Sequence, residues 1–309
     1  MQVHYDIKNI PQIKNAIVSQ GTFDGVHLAH KKIIERLKQI ASIKNGETVL
    51  ITFEPHPRIV LFPNDNGLQL LSTLNEKIHL LEKTGIDHLI VLPFTKEFSR
   101  QTSEQFIRDF LVNKLKTNTL VIGYDHRFGK NREGSFEHLK ESSDLYGFEV
   151  EEIPEQDIDD VAVSSTKIRQ ALLNNDIKTA KKYLGNNYSI EGKVIKGKQL
   201  GRTIGYPTAN IEIENSLKLI PQDGVYAVWV WYNKEKFGGM LNIGNNPTVS
   251  NKVRSIEVNI FNFDKEIYDE ELKIEFEIKL RNEEKFNGLD ELKNQLYKDK
   301  IHAFKLLEM

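Results

Sequence analysis

Two rhythms of apolar and polar positions divide the chain. In the first, short apolar runs bounded by turn-forming residues alternate with stretches whose apolar positions recur every three or four residues. The runs at Ala16 to Ser19, Thr48 to Phe53, His88 to Leu92, Thr119 to Gly123 and Phe148 to Ile153 predict strands. Helical spacing begins near His27 and continues through Ile33, Ile34, Leu37 and Ile40. It recurs over about Asn75 to Thr84, Ser103 to Leu115 and Phe136 to Tyr146. Such alternation predicts an α/β domain with a parallel sheet covered by helices on both faces, and ligands on such sheets bind at the carboxyl ends of the strands. Functional residues are therefore expected where a strand hands over to a helix.

From about Tyr188 the strands follow one another directly. The segments Tyr188 to Ile195, Val225 to Tyr232, Phe237 to Ile243, Ile256 to Phe263 and Leu272 to Leu280 are separated by Gly, Asn and Asp turns, with no crossover helix between them. This predicts a small antiparallel β-barrel, closed by an amphipathic helix from about Leu289 to Leu307. The change of rhythm places the boundary between domains 1–185 and 186–309. A length of 309 residues agrees with two cores, since single cores stop growing near roughly 250 to 300 residues.

Composition narrows the chemistry. There are no cysteines, which excludes disulfides, thiolate metal sites and a cysteine nucleophile, and suits a reducing compartment. Forty-two basic residues against 44 acidic ones leave a net charge of −2, so no nucleic-acid or anionic-membrane surface is expected. No run approaches the roughly 20 apolar residues of a membrane span, and the start lacks a secretory signal, so the expected location is the cytoplasm. Phosphate chemistry would have to rest on local groups.

The segment Gly21-Thr22-Phe23-Asp24-Gly25-Val26-His27-Leu28-Ala29-His30 follows a short apolar run and opens a helix. Small and polar residues let the backbone approach a phosphate, and the N–H groups of a helix start favour an anion. His27 and His30, three apart, share a helix face and can both reach it; a turn with two solvated histidines is the plain alternative. Ser164-Ser165-Thr166-Lys167-Ile168-Arg169 reads as a second helix start, with Arg169 able to fold back toward an anion. The other strand ends carry Thr52-Phe53-Glu54-Pro55-His56-Pro57-Arg58 and Ile122-Gly123-Tyr124-Asp125-His126-Arg127-Phe128-Gly129.

These four segments resemble the FAD synthetases of the adenylyl- and cytidylyltransferase superfamily: the HxGH motif, with Ala29 in place of glycine, and the SSTxxR signature. His126 stands where phenylalanine is expected. The resemblance implies a Rossmann-like nucleotidyltransferase fold, with Gly21, Phe23, Asp24, Gly25, Ser164, Ser165 and Thr166 around ATP. It casts His27, His30 and Arg169 as stabilisers of the transition state and of the leaving pyrophosphate. Asp125, Phe62, Tyr124 and Phe128 are the candidates for flavin contact, although a core role is open to each aromatic ring.

In the second half, Gly197-Lys198-Gln199-Leu200-Gly201-Arg202-Thr203-Ile204-Gly205-Tyr206-Pro207-Thr208-Ala209-Asn210 lacks the spacing of a Walker loop. In an extended segment Thr208 and Asn210 point to the same side, where their oxygens suit magnesium; a glycine-rich hairpin with a polar end is the alternative. The segment, with its PTAN tetrapeptide, resembles riboflavin kinases, as do Asp223-Gly224-Val225-Tyr226, Asn242 to Thr248, Ile256 to Phe261 and Arg281 to Phe286. Asn245 and Asn259 stand where histidine is frequent.

That second resemblance implies a six-stranded barrel, with Gly197, Gly201 and Gly205 at ATP, Thr208 and Asn210 at Mg2+, Arg281 at the flavin, and Glu257 as the base for a ribityl hydroxyl. Together the two halves imply conversion of riboflavin to FMN and of FMN to FAD, with ATP as co-substrate and ADP and pyrophosphate as products. Another adenylyltransferase carrying an accessory barrel, or a flavin-binding regulator without catalysis, are the rival readings.

Overall fold

The computed structural model describes residues 1–64, 67–123, 128–129, 134–153, 163–197, 199–245 and 254–309. It divides into two compact units, Met1–Ser165 and Thr166–Met309.

In the first unit, β1 (Gln2–His4), β2 (Ile17–Gln20), β3 (Thr48–Glu54), β4 (His88–Pro93), β5 (Thr119–Gly123) and β6 (Glu149–Ile153) form one sheet in the order β1-β4-β3-β2-β5-β6. Every neighbouring pair is parallel. Side chains alternate between two cores. Val49, Ile51, Ile90, Leu92, Leu120 and Ile122 enter one, and Leu50, Leu89, Val91 and Val121 the other. Burial of both faces is why these strands read as unbroken apolar runs. The exceptions are the two edge strands: β1, three residues long and only partly covered, has no apolar run to announce it, and β6 carries three glutamates and is buried only at Ile153.

Helices α1 (Leu28–Lys44), α2 (Pro57–Leu61), α3 (Leu74–Glu82), α4 (Ser103–Gln105) and α5 (Phe136–Tyr146) accompany the sheet. Helix α3 opens with a capping box, Thr73 and Glu76 each bonding the other's backbone N–H. The helix expected over Ser103 to Leu115 is not α-helical throughout, for α4 runs on as a π-helical stretch, Phe106–Val112. The wider turn brings Phe106, Ile107, Phe110 and Leu111 into the same core. Strand order reverses at β2, with β3 on one side and β5 on the other. The loop after β2 therefore stands at the crevice where ligands bind in open α/β sheets.

In the second unit, β7 (Ser189–Ile195), β8 (Ala209–Glu212), β9 (Gly224–Tyr232), β10 (Glu235–Asn245), β11 (Arg254–Ile260) and β12 (Glu271–Arg281) close into a barrel ordered β10-β11-β8-β7-β12-β9. All pairs in it are antiparallel. Leu241 faces Val258 and Tyr226 across its two neighbours, Ile274 faces Ile190 and Val230, and all six are fully buried. The other face of the sheet meets the final helix through Ala227, Met240 and Phe261 against Ala303 and Leu307.

Helices α6 (Ser165–Leu173), α7 (Ile177–Leu184), α8 (Leu200–Thr203) and α9 (Leu289–Leu306) complete the described α-helices. From Thr166 onward the α6–α7 pair belongs to the barrel unit. Lys181 pairs with Glu277 of β12, Asn187 Nδ2 donates to the same carboxylate at 2.7 Å, and Tyr226 Oη donates to Asn175 Oδ1 at 2.6 Å.

Candidate active sites

At the end of β2 the chain turns sharply. Phe23, Gly25 and Val26 all have positive φ (46°, 80° and 42°), which for β-branched Val26 is a strained conformation that surrounding contacts must hold. Asp24 supplies them. Its buried carboxylate accepts from the backbone N–H of Leu71 (3.1 Å) and Ser72 (3.0 Å). Its carbonyl accepts from Ser165 Oγ at 3.1 Å. Asp24 and Ser165, both expected at ATP, thus fasten the loop. Thr166 follows Ser165 on α6, and Arg169 lies one turn further on.

His27 caps α1 and His30 lies in its first turn. Their rings stack at 3.6 Å, and the edge of Phe23 closes on His30 at 5.2 Å. His30 Nδ1 is buried and has no hydrogen-bond partner among the described residues. Burial first, then the charges of His27 and Lys77, hold the His30 imidazole well below its usual pKa. The ring is therefore neutral at neutral pH, able to donate or accept a hydrogen bond but supplying no net charge.

A pH dependence follows. Unfolded histidine takes up a proton near pH 6.5 and native His30 does not, so the unfolded state binds more protons below that value and the first unit loses stability as pH falls. Between pH 7.5 and 5.5 the thermal midpoint of the wild type is expected to drop further than that of His30→Asn, measured for the first unit's transition.

Lys77 is a residue that sequence reading missed. It lies in the first turns of α3 on the stripe of Leu74, Ile78 and Leu81, is 4% exposed, and reaches Thr52 Oγ1 at 3.4 Å. A lysine on an apolar helix stripe was the available signal. Desolvation lowers its pKa against the pull of Asp24 and Glu54, and burial raises that of Glu54.

Of the candidate flavin contacts, Phe62 caps α2 and is 59% exposed. Phe128 is partly buried against Phe106 at 6.1 Å. Tyr124, Asp125 and His126 lie outside the described residues, as do Lys198 and 246–253.

In the barrel, Glu257 of β11 stands directly opposite Asn210 of β8 and Asn242 of β10. Directly opposed residues share a face, so three polar side chains form a row across three strands. Thr208 Oγ1 donates to Glu257 Oε2 at 3.4 Å. This brings together the three residues expected at magnesium and at the hydroxyl, and adds Asn242. Asn259, buried two residues on, donates to the Pro207 carbonyl at 2.7 Å and so pins the Pro207–Asn210 segment to β11. Gly197 packs so closely on Asn210 that a Cβ would lie 2.1 Å from its Nδ2. Gly205 takes a left-handed φ of 84°. Gly201 accepts from the Tyr206 N–H at 2.8 Å, closing the turn between them.

A groove of about 530 Å³ opens beside this segment, lined by Gly205, Tyr206, Lys293, Tyr297, Lys300 and Phe304. Arg281 grips Asp299 of α9 through Nε and Nη2 (3.0 and 2.8 Å), which fixes the helix forming one wall. The donors around Glu257 are hard oxygens, the ligand type magnesium takes. Among the described residues no cluster of three or more His, Asp or Glu could hold a metal unaided.

Comparison with known proteins bears on both sites. Residues 9–167 match the FAD synthetase family model and residues 184–307 the riboflavin kinase model. A protein of Buchnera aphidicola is 40% identical over 305 residues, covering 97% of this chain and 96% of its own. A Bacillus subtilis protein is 40% identical (94% and 92%) and an Escherichia coli one 35% identical (97% and 95%). All three are named bifunctional riboflavin kinase/FMN adenylyltransferase. A solved structure described as a macrolide-efflux protein of Streptococcus pneumoniae superposes with a TM-score of 0.86 at 31% identity over 98% of both chains. Among the described residues, no helix of this chain is long and apolar enough to cross a membrane.

Proposed function

We propose a two-site mechanism for this chain, which belongs to the bifunctional riboflavin kinase/FMN adenylyltransferase family and uses ATP both to phosphorylate riboflavin to FMN and to adenylylate FMN to FAD. The observation that carries the reading is where the carboxylates stand. Glu257 faces Thr208, Asn210 and Asn242 in the barrel, whereas Asp24 of the histidine loop is consumed by the Leu71 and Ser72 N–H groups.

The two nucleophiles require this difference. Riboflavin offers an alcohol, so its attack on the terminal phosphorus of ATP is helped by a base; Glu257 takes that proton as the new O–P bond forms and ADP leaves. Thr208 and Asn210 hold the magnesium that arrives with ATP, which relieves charge on its phosphates. Gly197, Gly201 and Gly205 shape the backbone along the nucleotide, and the groove beside Tyr206 takes the flavin ring, with Arg281 fixing its wall.

FMN offers a phosphate already ionised, so attack on the α-phosphorus needs alignment and charge relief rather than a base. His27 and His30 donate to the phosphates, and Arg169 serves the departing pyrophosphate. The backbone of Gly21, Phe23 and Gly25, with Ser164 and Thr166, borders ATP. Phe62 and Phe128 are the described rings available to FMN, with Tyr124 and Asp125 completing that contact. The near-balanced charge supports small-molecule partners without nucleic acid or membrane, and the absence of cysteine supports the cytoplasm.

Separated fragments test the two-site reading and the domain boundary together. A fragment 166–309 is expected to fold and convert riboflavin to FMN without making FAD. A fragment 186–309 should keep the kinase site yet unfold several degrees lower, having lost the α6–α7 contacts to Glu277 and Tyr226. A folded 166–309 fragment without kinase activity would show that the first unit completes the kinase site.

A further inference from the structure

We infer that Lys77 is a catalytic residue of the adenylyl-transfer site, its ammonium contacting the phosphoryl group that passes from ATP to FMN. The inference rests on the histidine site proposed above and adds, at the α-phosphoryl group, the charge that a neutral His30 does not bring.

The geometry begins with an imbalance. A lysine ammonium carries three N–H donors, yet the ammonium of Lys77, almost wholly buried, makes one hydrogen bond among the described residues, at 3.4 Å to Thr52 Oγ1. A buried ammonium with donors unspent is costly unless something else receives them. Asp24 does not need the lysine to be satisfied, because backbone N–H groups already bond both of its carboxylate oxygens.

Its placement points to the ligand. Thr52 Oγ1, which accepts from Lys77, itself donates to the Thr22 carbonyl at 3.2 Å. Lys77 is thereby joined to the 21–27 loop at Thr22 and acts on it electrostatically at Asp24 and on His30 beyond it. That loop follows β2, at the crevice where the sheet order reverses, and Thr52 lies near the carboxyl end of β3 beside it. The cation thus lies beneath the carboxyl edge of the sheet, where phosphates dock.

The reaction supplies the need. As the FMN oxygen bonds to the α-phosphorus and the bond to pyrophosphate breaks, negative charge gathers on the α-phosphoryl oxygens. A neutral His30 donates to them without cancelling charge, whereas a fixed ammonium in a dry setting cancels it directly.

The test compares Lys77→Met, His30→Ala and wild type in the full chain, measuring FAD formation from FMN and Mg-ATP, FMN formation from riboflavin, and the thermal midpoint. Lys77→Met is expected to lower kcat for FAD formation about 100-fold or more while FMN formation is kept and the first unit melts no lower, since a buried charge has been removed. Should the methionine variant fail to fold, Lys77→Gln, which keeps a donor for Thr52 without the charge, decides by the same readouts. A folded variant with kcat within about threefold of wild type would overturn the role of Lys77 if His30→Ala is inactive in FAD formation. If His30→Ala is also active, the histidine site itself has been misplaced.

Discussion

His30→Ala is expected to remove FAD formation, by at least two orders of magnitude in kcat, and to leave FMN formation from riboflavin intact. In the proposed mechanism the ring donates where charge develops on the phosphates, and removing one such donor costs roughly 100- to 1000-fold. The loss should exceed what the fold alone accounts for. His30 stacks on His27 and meets Phe23, so its truncation loosens the start of α1, but Asp24 still fastens the loop through Leu71, Ser72 and Ser165. Feeding FMN in one assay and riboflavin in another separates the cases. Loss of FAD from both feeds with normal FMN accumulation supports the assignment. Equal loss of FMN and FAD would mean that the two units fail together, and retained FAD formation would remove His30 from the chemistry.

Legibility in the sequence followed burial. Strands covered on both faces, such as Val49-Leu50-Ile51 and Leu120-Val121-Ile122, announce themselves because every side chain is apolar. β8 did not, because it has only four residues, two of them Asn210 and Glu212, and one of its partners, β11, lies far along the chain. The unit boundary at Thr166 was hidden for a related reason. Helices α6 and α7 have the same rhythm as those before them, and it is contacts such as those with Glu277 and Tyr226 that attach the pair to the barrel.

The candidate sites divide the same way. His27, His30, Thr208 and Glu257 were visible as residue types in motifs. The pinning of Pro207 by Asn259 and the use of Asp24 as a fastener depend on which backbone groups fold against them. Asn259, a departure from the histidine frequent in riboflavin kinases, fills a structural post through its amide, which explains why the departure leaves the PTAN segment in place.

Glu257→Gln tests the proposed base. Glutamine preserves size and can still accept a hydrogen bond from Thr208, so the row across β8, β11 and β10 should survive. Glutamine cannot take the ribityl proton. FMN formation is therefore expected to fall by roughly two to four orders of magnitude, the contribution of a positioned base, with riboflavin binding little changed. FAD formation from supplied FMN should continue at the wild-type rate, because that nucleophile is ionised before it binds and its histidines lie in the other unit. Steady-state rates for each feed, with riboflavin affinity from flavin fluorescence, decide among three outcomes. A kinase rate near wild type would make Glu257 a structural strand residue; a matched loss of FAD formation from FMN would defeat the two-site mechanism. Loss confined to FMN formation, at unchanged riboflavin affinity, would place the proton transfer on this carboxylate.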